Sequence, residues 1–403
     1  MERLTAFKAY DVRGRVPDEL DEELAYGIGR SFIRFIGGKR VAIGRDVRPS
    51  GPSFVKALSQ GMTDEGALVY DIGLCGTEEL YFATFNNELD GGVMVTASHN
   101  PADYNGMKFV REFAKPISAD TGLMEIGRDA IQEMPPATGG GKVEPLESRD
   151  AYIEHLLGYI DVPSLKPLKI VANAGNGCAG PVIDRLAEKL PFDFIKIFNE
   201  PDGSFPNGVP NPLLKENREA TRAKLMEERA DLAIAWDGDF DRCFFFDEKG
   251  GFIEGYYLVG LFAEALLAKT PGQAVVHDPR LIWNTLDIVK QQGGKAVVSK
   301  SGHAFIKAKM REVNGVYGGE MSAHHYFRDF SYCDSGMIPW LLVTSLICSQ
   351  GRSLSSFVEE RQRLYPISGE INLTVTDQAA AIGAIRDKYE EAALDVDELD
   401  GVS

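Results

Sequence analysis

Cysteine is scarce. Cys75, Cys178, Cys243, Cys333 and Cys348 are the five in 403 residues, and no two have metal-ligand spacing. An odd, scattered set excludes a disulfide framework and a cysteine-based zinc site, and fits reduced thiols in a cytoplasmic protein. No run of about 18 apolar residues occurs, so no membrane span is expected. The start, Met1-Glu2-Arg3-Leu4-Thr5, has no apolar segment of the signal-peptide kind. Positive charge is short too: 43 lysines and arginines face 60 aspartates and glutamates, for a formal net charge of −17. That balance excludes a nucleic-acid surface, and it makes any phosphate site depend on local cations.

What is present is a globular α/β chain. Hydrophobic residues are 44% and charged residues 26%, and a chain of this length exceeds one ordinary core, so about two to four domains are expected. Short apolar runs at Val41-Ala42-Ile43, Leu68-Val69-Tyr70 and Val93-Met94-Val95 predict strands, with a helix from Phe54 to Met62 between the first two. The alternation returns at Lys169 to Ala172, Phe194 to Phe198 and Leu232 to Ala235, and again at Ala274 to His277 and Ala296 to Val298. Phe244-Phe245-Phe246 and Gly251-Phe252-Ile253 flank Lys249-Gly250 as a hairpin, so the sheets should be mixed. Pro135-Pro136-Ala137-Thr138-Gly139-Gly140-Gly141 reads as a linker, and the stretch from Tyr365 to Gly369 as a break.

Three segments carry chemistry. Thr96-Ala97-Ser98-His99-Asn100-Pro101 ends the apolar run Gly92-Val93-Met94-Val95 and sets Ser98 on the turn after a strand. An exposed hydroxyl held by the sheet below suits a nucleophile or a covalent phosphate carrier; a turn serine or helix cap is the plain alternative. A Ser-His-Asp hydrolase fits poorly, because Ala97 replaces an elbow glycine and the neighbours Ser98 and His99 are expected to point apart. Asp237, Asp239 and Asp241 stand at alternate positions after the apolar run from Leu232 to Trp236. Such carboxylates can converge on one hard cation such as Mg²⁺, and without it they repel one another. The rival is a solvated acidic loop. An EF-hand is excluded, since Arg242 sits where that loop needs glycine. The third segment, Glu320, Ser322, His324 and His325, offers a carboxylate and a hydroxyl one residue apart, which in extended chain face one way and suit adjacent sugar hydroxyls; a polar turn is the alternative. A zinc site at the histidine pair lacks a third spaced ligand. Lys108, Arg13, Arg45 and His303 are each either structural or phosphate-facing.

With these residues in hand, the chain resembles the α-D-phosphohexomutase family, closest to its bacterial phosphomannomutase branch, from Phe7-Lys8-Ala9-Tyr10-Asp11 to about Gly401. Ser98 and its neighbours resemble the family's phosphoserine loop, Asp237 to Arg242 its metal loop, and Gly319-Glu320-Met321-Ser322 its sugar loop in the mannose-type or dual-specificity form. The resemblance implies three related α/β domains with mixed sheets around a cleft: residues 1–145 with the phosphoserine loop, 146–250 with the metal loop and 251–365 with the sugar loop. Residues 366–403 would be the remnant of a truncated fourth domain, since its arginine- and serine-rich phosphate loop is not found after Gly369. It implies a phosphomannomutase-type isomerase, interconverting mannose 6-phosphate and mannose 1-phosphate, and glucose phosphates too, for GDP-mannose and polysaccharide synthesis. Catalysis would run through phosphorylated Ser98 and a hexose 1,6-bisphosphate, which also serves as activator. Ser98, Asp237, Asp239 and Asp241 would hold Mg²⁺. Lys108 would be the acid/base, supported by Arg13, His99 and Arg242, and Tyr10, His303, Glu320, Ser322 and His324 would bind the sugar side. The expected partners are hexose phosphates, with no nucleic acid or membrane, and the expected state is a monomer or weak homo-oligomer. A sugar-phosphate phosphatase, or an inactive sugar-phosphate binder left by the truncation, are the competing functions.

Overall fold

Three mixed sheets organise the computed structural model, which describes residues 2–137, 139–369, 371, 373–393 and 396–402. Met1, Thr138 of the expected linker, and Ser403 lie outside the described residues. The first sheet takes parallel strands Arg40–Arg45, Leu68–Leu74, Gly91–Val95 and Lys142–Pro145, with Tyr104–Arg111 and Val12–Arg15 added antiparallel. In the second, Lys169–Asn173, Asp193–Ile197 and Leu232–Trp236 are parallel, and Cys243–Asp247 and Phe252–Ile253 turn back. The third repeats the plan, with Ala274–His277, Lys295–Val298 and Tyr317–Gly319 parallel, then His325–Phe327 and Cys333–Asp334 antiparallel. The central strands Gly91–Val95 and Leu232–Trp236 are buried along their whole length, as continuous apolar runs covered by helices require.

The sequence-predicted strands are all present: most are extended by one to a few residues, Ala274–His277 has the same bounds, the strand expected from Phe194 to Phe198 is Asp193–Ile197, and the second arm of the hairpin is only Phe252–Ile253; the helix is present as Gly51–Asp64. The linker differs. Gly139 and Gly141 donate their N–H groups to the carbonyls of Asp64 and Thr63, and Lys142–Pro145 then pairs with Leu68–Leu74. The glycine run is therefore the return path into the first sheet, not a tether between units. The five cysteines are buried and free. Among the described residues no helix is long and apolar enough to cross a membrane. Helix Gln378–Tyr389 buries none of its residues, and Ile371, Leu373 and Val375 before it are exposed.

Sequence periodicity does not flag helix Thr77–Asn86, whose residues 77–84 are all buried. It stands where the three sheets meet. Its Glu78 joins the second and third units: Oε1 accepts from Tyr152 Oη of the second and from Ser335 Oγ of the third at 2.8 Å, and Oε2 from the N–H groups of Gly336 and of Met337 at 3.2 Å. Glu79 meets Arg149 Nε at 2.7 Å. One apolar core runs from this helix through Trp236 of the second sheet to Trp340 of helix Ile338–Gln350.

Burial pushes the Glu78 carboxyl up to about 8, against the four donors that favour its ionised form. An acid raised in the fold keeps a proton that the unfolded chain gives up near pH 4.3, so its share of stability is lost as pH rises from about 4.3 through about 8. Thermal unfolding midpoints of the native protein should fall more steeply between about pH 5 and 8 than those of Glu78→Gln. Parallel curves would show that Glu78 is not the group responsible.

Candidate active site

Three loops converge, and each arises in the same way. A central parallel strand ends, the chain turns, and it returns as the antiparallel neighbour. The turns are residues 96–103, 237–242 and 320–324. All three lie at the carboxyl ends of parallel strands, where open α/β sheets leave a crevice for ligands.

The first turn is rigid. Ser98 has φ +48°, and its N–H is taken by Thr96 Oγ1 at 2.9 Å. Arg48, fully buried, staples the turn from beneath. Its Nη1 donates to the carbonyls of Pro101 and Tyr104 at 2.5 and 2.8 Å, and its Nη2 to those of Ser98 and Asn100 at 3.0 and 2.6 Å. Its charge is answered by Asp46, 3.2 Å from Nε. Neither Arg48 nor Asp46 was marked by sequence as a site residue; Arg45, which was considered, donates instead to the Asp46 carbonyl at 3.2 Å.

The second turn docks on the first. Ser98 Oγ lies 2.8 Å from Asp237 Oδ2, and Asp237, Asp239 and Asp241 bring carboxylate oxygens within 4.8 Å of one another. Ser98 is 4% exposed, not exposed as expected of a turn serine, because the second unit closes over it. The glycine between the first two aspartates permits that approach: a Cβ on Gly238 would stand 2.6 Å from the Ser98 carbonyl oxygen. Phe240, at φ +43°, drops its ring onto Gly76, where a Cβ would come within 2.1 Å of it. Thr77 donates to Asp239 Oδ2 at 2.6 Å and fixes the same turn from the buried helix.

Three buried carboxylates need cations. Lys108, from antiparallel strand Tyr104–Arg111, places Nζ 2.7 Å from Asp239 Oδ2 and 2.6 Å from Asp241 Oδ2. Arg242 donates from Nε and Nη2 to Asp237 Oδ2 at 3.0 and 2.7 Å. Burial pulls the Lys108 ammonium down, yet Asp239 and Asp241 together hold it above the ordinary lysine value. Burial and Asp239 push Asp241 up. Asp239 Oδ1 and Asp241 Oδ1 are buried with no hydrogen-bond partner. Orphaned carboxylate oxygens beside a serine hydroxyl are the donor set of a hard divalent cation, so the residues fit Mg²⁺.

His99 does not point away from its neighbour. Its Nδ1 is 3.1 Å from Ser98 Oγ and accepts from Arg242 Nη2 at 2.7 Å, and burial with Arg242 beside it brings its pKa down to about 2, so the ring is neutral. Arg13 donates to Asn100 Oδ1 at 2.7 Å and to Asp11 Oδ2 at 2.5 Å. A cavity of about 140 Å³ is lined by Ser98, His99, Lys108, Asp241 and Arg242 together with Tyr10, Arg13, Tyr81, His303 and His324. Tyr81 was not singled out from sequence. His303 Nδ1 is buried without a partner, and Tyr10 packs edge-on against that ring.

The third turn differs from its sequence picture. Residues 320–323 are not extended: Ala323 N–H closes onto the Glu320 carbonyl at 3.2 Å, with Ala323 at φ +71°. The Glu320 carboxylate is buried and bonded, accepting from Gly302 N–H at 2.9 Å and from Tyr326 Oη. Glu320 and Ser322 do not line the serine cavity; His324 does. Burial pulls His324 down, but Asp241, 4.0 Å away, and Asp334 hold it above the ordinary histidine value.

Comparison with known proteins settles the ancestry. Residues 4–133, 254–365 and 150–251 match phosphoglucomutase/phosphomannomutase alpha/beta/alpha domains I, III and II respectively. The chain belongs to the phosphoglucomutase/phosphomannomutase family. It is thus an isomerase, a phosphohexomutase. A Xanthomonas campestris pv. campestris protein described as phosphohexose mutases is 58% identical over 402 residues, covering 99% of this chain and 90% of that one. A Salmonella typhimurium phosphomannomutase is 56% identical over 411 residues, with 100% and 90% covered. A Burkholderia thailandensis crystal structure of a phosphoglucomutase/phosphomannomutase family protein superposes with TM-score 0.86 at 33% identity, covering 100% of this chain and 88% of that one.

The close approach at Gly238 gives a test. Gly238→Ala should lower stability by about 1–3 kcal/mol in denaturant unfolding and weaken Mn²⁺ binding followed by electron paramagnetic resonance. Wild-type values of both would show that the two turns can separate at no cost.

Proposed function

We propose that this phosphohexomutase interconverts mannose 6-phosphate and mannose 1-phosphate, and accepts glucose phosphates, in the cytoplasm. Its product would feed GDP-mannose and polysaccharide synthesis. The observation that carries the reading is one contact: a serine hydroxyl from one unit set 2.8 Å from a buried triad of aspartates belonging to the next. The relatives named phosphomannomutase supply the substrate class.

Ser98 carries the phosphoryl group. A sugar hydroxyl attacks it, the Ser98 Oγ–phosphorus bond breaks, and the resulting hexose 1,6-bisphosphate returns its other phosphoryl group to Ser98 after turning over in the cleft. The same bisphosphate primes unmodified enzyme. Asp237, Asp239, Asp241 and Ser98 would hold Mg²⁺, which supplies charge stabilisation to the transferring group. Arg242 and Arg13 present guanidinium groups to that side of the cavity. His99, neutral, is held by Arg242 with its Nδ1 3.1 Å from Ser98 Oγ. Lys108 stays an ammonium while it faces Asp239 and Asp241. Once those carboxylates are neutralised it can give up a proton to solvent; the free amine then takes the proton of the attacking hydroxyl and returns it to the leaving sugar oxygen in the second half-reaction.

On the sugar side, Tyr10, His303 and His324 line the cavity, and Glu320 and Ser322 sit on the turn that holds them. We assign residues 366–403 to the family's fourth domain.

Incubation with glucose 1,6-bisphosphate should add one phosphoryl group, and peptide mass spectrometry should place it on Ser98; Ser98→Ala should take up none and lose mutase activity by about 10³-fold or more. A label found elsewhere, or mutase activity surviving in Ser98→Ala, would remove the serine from the mechanism. Asp239→Asn keeps the volume and deletes one charge, so its Mg²⁺ affinity in calorimetry should fall by about tenfold or more. Full affinity in that variant would place the cation elsewhere.

A further inference from the structure

Lys307 and Asp334 form a charge pair that none of the roles above requires. Both are buried, Lys307 on helix His303–Val313 and Asp334 on the last strand of the third sheet. Lys307 Nζ stands 2.6 Å from Asp334 Oδ1 but off the hydrogen-bond direction, so the relation is one of charge. The ring of Tyr81 lies under the ammonium at 4.0 Å. Stability gives little reason for the arrangement, because a buried ion pair is commonly no better than apolar residues of the same volume.

Its consequence lies on the other oxygen. Asp334 Oδ2 is 3.0 Å from His324 Nδ1. The Lys307 ammonium, 2.6 Å from Asp334 Oδ1, is the counter-charge of an ionised carboxylate there. An ionised carboxylate can only accept, so Nδ1 carries the proton of that bond. His324 in turn lines the cavity with Ser98, Lys108 and Arg242, and its second ring nitrogen is the one left for a ligand.

We propose that Asp334, its charge balanced by Lys307, is a positioning residue that fixes the ring of His324 and its Nδ1 proton, so that Nε2 meets the sugar phosphate in the transfer step. The assignment rests on the mutase reading for its effect on rate, and on geometry alone for the state of the ring. Tyr81 belongs to the same device, since its ring seats the ammonium against the strand.

A mutational cycle tests it. Lys307→Met/Asp334→Val deletes both charges with little change in volume, and Lys307→Met/Asp334→Ala does so with more room if the first does not fold. Either should keep the thermal midpoint, lower kcat by about tenfold or more and leave KM within about threefold, and adding His324→Ala should cost nothing further. A residue that merely supported the fold would give independent, additive losses. Unchanged kcat or additivity overturns the proposal. Imidazole ¹⁵N spectra give a second readout that needs no turnover: His324 Nδ1 should be protonated in the native protein, and the Nε2–H tautomer should appear in the paired variants. If the native protein transfers no phosphoryl group, the mutase reading falls, and the spectra still decide the positioning. An unprotonated Nδ1 in the native protein, or the same tautomer in all proteins, overturns it.

Discussion

Three aspartates within 4.8 Å of one another, out of water, are the constraint around which this molecule is arranged. Left alone they would repel and carry a desolvation penalty of several kcal/mol each. The fold answers with cations from two units: Lys108 from the first sheet and Arg242 from the turn itself. The offset is incomplete, because two carboxylate oxygens keep no hydrogen-bond partner. Three carboxylates against one ammonium and one guanidinium leave one negative charge over beside the serine hydroxyl, where a hard cation would be attracted.

Holding the balance requires that separate units stay in register. Helix Thr77–Asn86 performs this task because each unit touches it. Thr77 bonds to Asp239, Glu78 to the backbone after Asp334, and Tyr81 seats Lys307. Burying two consecutive glutamates in one helix is costly unless each is fully bonded, and here each is. Arg48 plays the corresponding part inside the first unit. A single guanidinium gathers four carbonyls of the serine turn, so Ser98 keeps its left-handed backbone.

The three turns show how one local plan yields different chemistry. Each joins a buried parallel strand to its antiparallel neighbour. The strand ends fix where the turn sits, and the residues on it decide whether it offers a hydroxyl, a set of carboxylates, or a histidine with a carboxylate. Glu320 shows a limit of reading such turns as extended chain. Its carboxylate ties Gly302 to Tyr326 and so holds the start of the helix that bears His303 and Lys307.

Much was legible in the amino-acid order alone. The strands were marked by short β-branched and apolar runs, and the serine, the alternating aspartates and the Glu-Met-Ser turn by residue types that seldom stand together without a shared chemistry. These signals are local, and local physics suffices to produce them. Helix Thr77–Asn86 was hidden because it is buried on every side and carries glutamates, so no amphipathic period exists to read. Arg48 was hidden because the carbonyls it gathers lie 50 to 56 residues away, Tyr81 because Lys307 lies 226 away and Lys307 because Asp334 lies 27 away, and a lysine or arginine in isolation looks like surface. The expectation that Ser98 is exposed and that His99 turns from it failed for the same reason: the second unit, closing over the turn, sets both side chains. Sequence determined which groups the site contains, since composition and spacing are properties of the chain. Tertiary structure decided their exposure, their charge and which of them touch, since those depend on what the fold packs against them.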